Sequence, residues 1–179
     1  MPWHQVIDFW FEETSPQQRF TKDLSFDRLI ISRFLKLHGK AVCGELTNWR
    51  ETASGALAEI ILLDQFSRNM FRDTAKAFAF DDLALDLAQQ AIAKGFDTQL
   101  NKESKTFFYM PFTHSESAQC HVLAADLFAK EGMEVNLRFE LRHKAIIERF
   151  GRYPHRNKIL HRQSTDEELI FLQQPGSSF

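Results

Sequence analysis

The sequence predicts an all-α protein built of packed antiparallel helix pairs. Three observations carry that reading. Apolar residues recur at three- and four-residue spacing along almost the whole chain, the period of an amphipathic helix. Sustained apolar–polar alternation, the mark of a half-buried strand, is missing. Glycine, proline and capping-box pairs punctuate the periodic stretches where helices start and stop.

The elements follow in order. Val6, Phe9 and Trp10 mark a first helix that ends before Ser15-Pro16. Phe26, Leu29, Ile30, Phe34 and Leu37 mark a second, with Gly39 as its stop. Leu57 to Phe66 is apolar nearly all round and reads as a helix buried at the centre. Asp81 or Asp82 is placed to cap a helix bearing Leu83, Leu87, Ala91 and Ile92, and Gly95 stands where a C′ glycine belongs. Two longer helices are expected, over about 115–131 and 135–150. Ser164-x-x-Glu167 and Thr165-x-x-Glu168 are alternative capping boxes for a last short helix through Leu172. Residues 1–174 read as a single helical domain and 175–179 as a C-terminal tail.

Composition narrows the class. A chain of 179 residues is long enough for one well-buried domain and short for two. Eighteen phenylalanines point to an aromatic core. No apolar run approaches the ~20 residues that span a bilayer. The N-terminus lacks a basic leader region, and Asp8, Glu12 and Glu13 follow soon after, against a secretory signal. Cys43 and Cys120 form no C-x-x-C pair and read as reduced thiols, so a cytoplasmic location is expected.

Net charge is −2 but uneven: Arg138 to Arg162 holds eight Lys/Arg against two Glu, leaving −8 elsewhere. That asymmetry suits an internal clamp or a local anion site and argues against duplex DNA. No aromatic–basic strand supports RNA binding, so no nucleic-acid partner is expected and no membrane partner either. G-x-G-x-x-G, Walker and G-x-S-x-G motifs are absent, as are His-Glu-x-x-His and Pro-Cys-x-x-Cys. Neither metal nor cofactor is expected.

The densest chemistry lies at Arg149-Phe-Gly-Arg-Tyr-Pro-His-Arg-Asn-Lys158. Gly151 and Pro154 break a helix there, surrounded by Arg152, His155, Arg156 and Asn157. Asp64, in Leu62-Leu-Asp-Gln-Phe-Ser-Arg-Asn69, ends the most buried stretch and needs a cationic partner, either Arg68 at i+4 or the distant arginines. It reads either as a packing lock or as one wall of a pocket. His114 sits in a loop before a helix, a usual place for a working imidazole. Glu116 reads either as its partner or as half of a capping box with Thr113. His143, on a stripe with Phe139, Ile146, Ile147 and Phe150, reads as a hydrogen-bonded core histidine.

These segments, with Ala77-Phe-Ala79, Phe108 to Glu116 and the closing Pro175-Gly-Ser-Ser-Phe179, resemble the bacterial domain-of-unknown-function family numbered 924. The resemblance runs through nearly the whole chain. It implies a fold grouped with right-handed, tetratricopeptide-like superhelical domains, and no established reaction. It places the signature on Asp64, Gln65, Arg68, Asn69, His114, Glu116, Arg152, His155, Arg156 and Asn157. Ser67 stands where Pro is frequent and should change little, and His161 stands where Gly is expected.

The leading expectation is a site for a small acidic or phosphorylated metabolite. Arg152 and Arg156 would grip the anion, and Arg68, Asn69 and Asn157 would line the site. His114 or His155 would move a proton, oriented by Asp64 or Glu116. Whether turnover follows is left open, since no nucleophile is apparent. The alternative is a tetratricopeptide-like interaction module that binds a peptide or protein, its polar cluster a structural lock.

Overall fold

A computed structural model describes residues 3–178. Met1 and Pro2, where the leader reading begins, and Phe179, the last residue of the expected tail, lie outside the described residues. The protein is all-helical, with 72% of its residues in helices and no strand among those described. Two compact units are distinguished: residues up to Arg72 with Lys76–Pro111, and Asp73–Ala75 with residues from Phe112 on.

In the first unit, α1 (His4–Asp8) runs into a π turn (Phe9–Glu13). A capping box between Ser15 and Gln18 starts α2 (Pro16–Phe20). Asp23 caps α3 (Leu24–Val42), accepting from the N–H groups of Ser25 and Phe26 at 2.7 and 3.2 Å. Helix α4 (Ala53–Ile61), capped by Thr52, continues through a second π turn (Leu62–Phe66) into α5 (Ser67–Met70). Helix α6 (Asp81–Ala93) starts after Phe80 with no side-chain cap, contrary to the cap expected of Asp81 or Asp82, because the Asp81 carboxylate is taken by Arg68. It closes at Gly95, which is left-handed at φ 73°.

The stretch that is apolar all round forms the core of this unit. Leu57, Ala58, Ile60 to Leu63 and Phe66 are all at most 1% exposed. Helix α4 packs on α1 and α6, while α5 and its π turn pack on α3. Phe66 meets Phe9, Trp10 and Phe34 at centroid distances of 5.8, 5.4 and 4.9 Å, within the range of favourable ring pairs.

The structure departs from the sequence reading at two helix ends. Gly39 keeps a right-handed φ, so α3 passes through it and ends at Cys43, followed by left-handed Gly44 at φ 71°. Residues 102–114 form a helix that the sequence pattern did not reveal. This α7 (Lys102–His114) carries Pro111 in its interior, so His114 is a last-turn helix residue and not part of a loop.

In the second unit, α8 (Ala118–Phe128) and α9 (Glu134–Phe150) pack together as a helical hairpin. Gly151 ends α9 at φ 68°, and Pro154 opens a 3₁₀ turn (Pro154–Arg156). Of the two capping boxes, Thr165–Glu168 is the one that starts α10 (Asp166–Phe171). Tyr153, Ile146 and Ile147 form a small core, with Phe150 and Phe171 against it.

Candidate functional site

The first unit gathers one set of the candidate residues. Asp64 is 1% exposed within the π turn. One of its oxygens lies 3.1 Å from Arg68, and the other accepts from the Gln65 amide at 2.6 Å. Arg68 also forks onto Asp81 at 2.8 and 3.0 Å. Asn69 donates to Asp27 at 2.8 Å, and Arg72 forks onto that same carboxylate at 2.6 and 2.7 Å. Asp64, Arg68 and Asn69 therefore serve bonds inside the protein. The Ser67 hydroxyl lies 2.8 Å from His38 Nε2 in a buried contact that a proline could not make. Burial, helped by the Lys76 charge, pushes His38 down to about 4.

The second unit holds the basic segment. Arg149 binds Glu167 at 2.7 and 2.9 Å. Arg152 forks onto Glu168 at 2.7 and 2.8 Å and donates to the Gln163 carbonyl at 2.9 Å. Arg162 forks onto Glu116 at 2.6 and 2.9 Å. Buried Asn157 donates to Ser164 and Glu168 and accepts from Arg162. Three carboxylates from outside the basic segment thus neutralise three of its arginines. The capping box of Thr113 with Glu116 does not form: Thr113 donates to Glu140 at 2.6 Å, and Glu116 accepts from the Tyr153 N–H at 2.8 Å.

These contacts set the charges. Burial alone would raise the Glu116 carboxyl, but bonds from Arg162 and the Tyr153 N–H, with the Arg162 and Arg156 charges, hold it below the usual range. Glu168 falls to about 2, chiefly through Arg152; burial opposes the shift, and the Thr165 N–H and Asn157 add to it.

Fully buried Tyr153 is the centre of a second cluster. The rings of His121, His143 and His155 lie 6.1, 5.9 and 5.5 Å from it, and the Arg156 guanidinium sits 4.6 Å over its face. Arg156 also donates to the His114 carbonyl at 2.9 Å, which ties the 3₁₀ turn to the end of α7. His143 donates through Nδ1 to the Phe139 carbonyl at 2.7 Å. A carbonyl only accepts, so the second nitrogen of neutral His143 is the basic one.

Burial pushes His143 down to about 4, against the Phe139 carbonyl and with the help of His114, His121 and Arg156. His155 is likewise lowered to about 4, by burial first, then by Arg156 and His143, with Glu116 opposing. Both imidazoles are neutral at neutral pH. His114, His143 and His155 are half-buried.

The pairing of His121 with Glu140 is not expected from the sequence. His121 Nε2 lies 2.9 Å from the Ser115 carbonyl and must donate, while Nδ1 lies 2.7 Å from Glu140. A signal existed: Glu140 sits seven residues before buried Ile147 on one helix stripe. Phe139, assigned to that stripe, is instead 55% exposed.

The structure therefore brings His114, Glu116, His155 and Arg156 into one unit, while Arg152 and Asn157 turn toward Glu168. Asp64, Arg68 and Asn69 belong to the other unit. Among the described residues, no three of His, Cys, Asp or Glu converge as a metal-holding set. Among the same residues, no helix is long and apolar enough to cross a membrane.

Fold and cluster together define an all-helical protein whose second unit holds a buried tyrosine ringed by histidines. The chain belongs to a family of bacterial proteins of unknown function, DUF924, whose family model matches residues 6–176. It is also similar to a solved protein of unknown function from Agrobacterium tumefaciens, 41% identical, with a TM-score of 0.92 and 96% of each chain covered. No curated protein matches. The expectation of glycine at position 161 has a backbone basis, since His161 is held at φ 54°.

Proposed function

We propose that the protein binds a small acidic or phosphorylated metabolite at the histidine face around Tyr153 in its second unit. The supporting observation is the convergence of half-buried His114, His143 and His155 beside Arg156. Imidazoles displaced this far from their ordinary range, next to a fixed cation, are typical of functional sites. Arg156 supplies the positive potential. Neutral His143 and His155 supply hydrogen bonds and accept a proton when an anion arrives. Arg152, Asn157 and Glu116 act as the brace that holds the turn, so the lock reading applies to these residues. Cytoplasmic location and a tetratricopeptide-like arrangement belong to the same proposal; the α8–α9 hairpin supports the latter.

The test is a titration of the imidazole resonances with and without inorganic phosphate. A bound anion stabilises imidazolium, so His143 and His155 should titrate well above 4, and affinity should rise as pH falls toward 5. Arg152→Ala should lower stability yet keep the phosphate response. Unchanged titration of both histidines at ~50 mM phosphate, far above a useful affinity, would sink the proposal.

A further inference from the structure

The arginines of the basic segment divide into two kinds. Arg149, Arg152 and Arg162 each fork onto a carboxylate, and Arg156 is buried against Tyr153. Arg138 and Arg142 differ: both are exposed on α9, and among the described residues neither has a carboxylate within ion-pair distance. Around them Val135, Phe139 and Leu141 are 55, 55 and 48% exposed. The Arg142 guanidinium rests 5.8 Å from the Phe139 ring centroid, which helps to fix its direction.

We infer that this face of α9 docks an acidic amphipathic helix of a partner protein. At ~100° per residue, Arg138 and Arg142 lie about 40° apart and form the crest of the exposed face. Val135 and Phe139 flank the crest on one side and Leu141 on the other. A partner carrying carboxylates between apolar residues matches that order: acidic groups meet the two guanidinium forks, and aliphatic groups cover the flanks. Arginine and exposed aromatics are the residue types that dominate binding energy at such contacts.

The order argues against other occupants. A helix lying in a membrane surface centres its apolar residues and puts cations at the margins, where they reach headgroups; here the cations are central. A two-fold pairing of this face with itself would bring the arginine pairs of two copies together, which like charges disfavour. Two arginines in a chain of net charge −2 are too few for the phosphates of a duplex.

The experiment uses the full chain and a synthetic helical peptide with two glutamates one turn apart between leucines, followed by amide chemical shifts. The expected result is binding at about 10–100 µM, with shifts confined to α9 around residues 135–142. The double change Arg138→Glu/Arg142→Glu should weaken it at least tenfold, and Phe139→Ser should weaken it as well. All these positions are exposed, so unchanged circular dichroism and melting confirm that the variants fold. The inference is overturned by any of four outcomes: no α9 shifts at ~1 mM peptide, binding indifferent to the charge reversal, arginine-dependent sedimentation with anionic lipid vesicles, or arginine-dependent self-association in the ultracentrifuge.

Discussion

Glu140 shows how much one buried carboxylate can hold. It is 1% exposed and serves both the Thr113 hydroxyl and His121. Glu140→Ala removes the acceptor from both, in a place water does not reach. We expect a loss of about 3–5 kcal/mol in denaturant unfolding. Glu140→Gln should stay within about 1 kcal/mol, because the amide offers N–H to His121 Nδ1 and keeps an oxygen for Thr113. Equal losses in the two variants would show that the charge itself matters. At this scale the sequence was only partly legible. The i+4 pairing of Asp64 with Arg68 was readable from spacing. Pairings such as His121–Glu140 join separate elements and depend on how α8 and α9 are rotated, which local spacing does not encode.

Helix ends were more legible, because caps are short-range chemistry. Gly95, Gly151 and Thr165–Glu168 act as local rules require, while the Ser15–Gln18 box and its short helix went unread. The failures were residues whose usual role was overridden. Pro111 lies inside α7, and Gly39 lies inside α3 with right-handed backbone. Two glycines make the contrast testable. A Cβ at exposed Gly39 would meet nothing within 4 Å. Gly39→Ala should therefore raise stability by about 0.5–1 kcal/mol, through helix propensity and a less disordered unfolded chain. A Cβ at Gly55 would lie 2.2 Å from the Trp49 carbonyl oxygen, which is backbone and cannot swing away. Gly55→Ala should cost about 1–3 kcal/mol. Paired thermal melts check both signs at once.

For the molecule as a whole, acid is the informative variable. His38, His143 and His155 are held near 4 when folded, against 6.5 as their ordinary value. Between those values the unfolded chain binds more protons, so stability is fully present above about pH 6.5 and falls as pH drops toward 4. Glu116 and Glu168, held below the ordinary 4.5, add a further loss as pH falls below that value. Melting temperature should be level from pH 7 to 8 and decline in these two stages. A profile level down to pH 5 would show the histidines to be solvated. The clamp of Arg149, Arg152 and Arg162 also shapes how the molecule looks from outside. With opposite charges 2.6–2.9 Å apart, each pair acts at a distance as a dipole whose field decays faster than that of a lone ion. Beyond a Debye length, about 8 Å in physiological salt, these three paired arginines contribute little to the field of the basic stretch. An approaching polyanion is steered instead by cations that no described carboxylate pairs with, Arg138 and Arg142 among them.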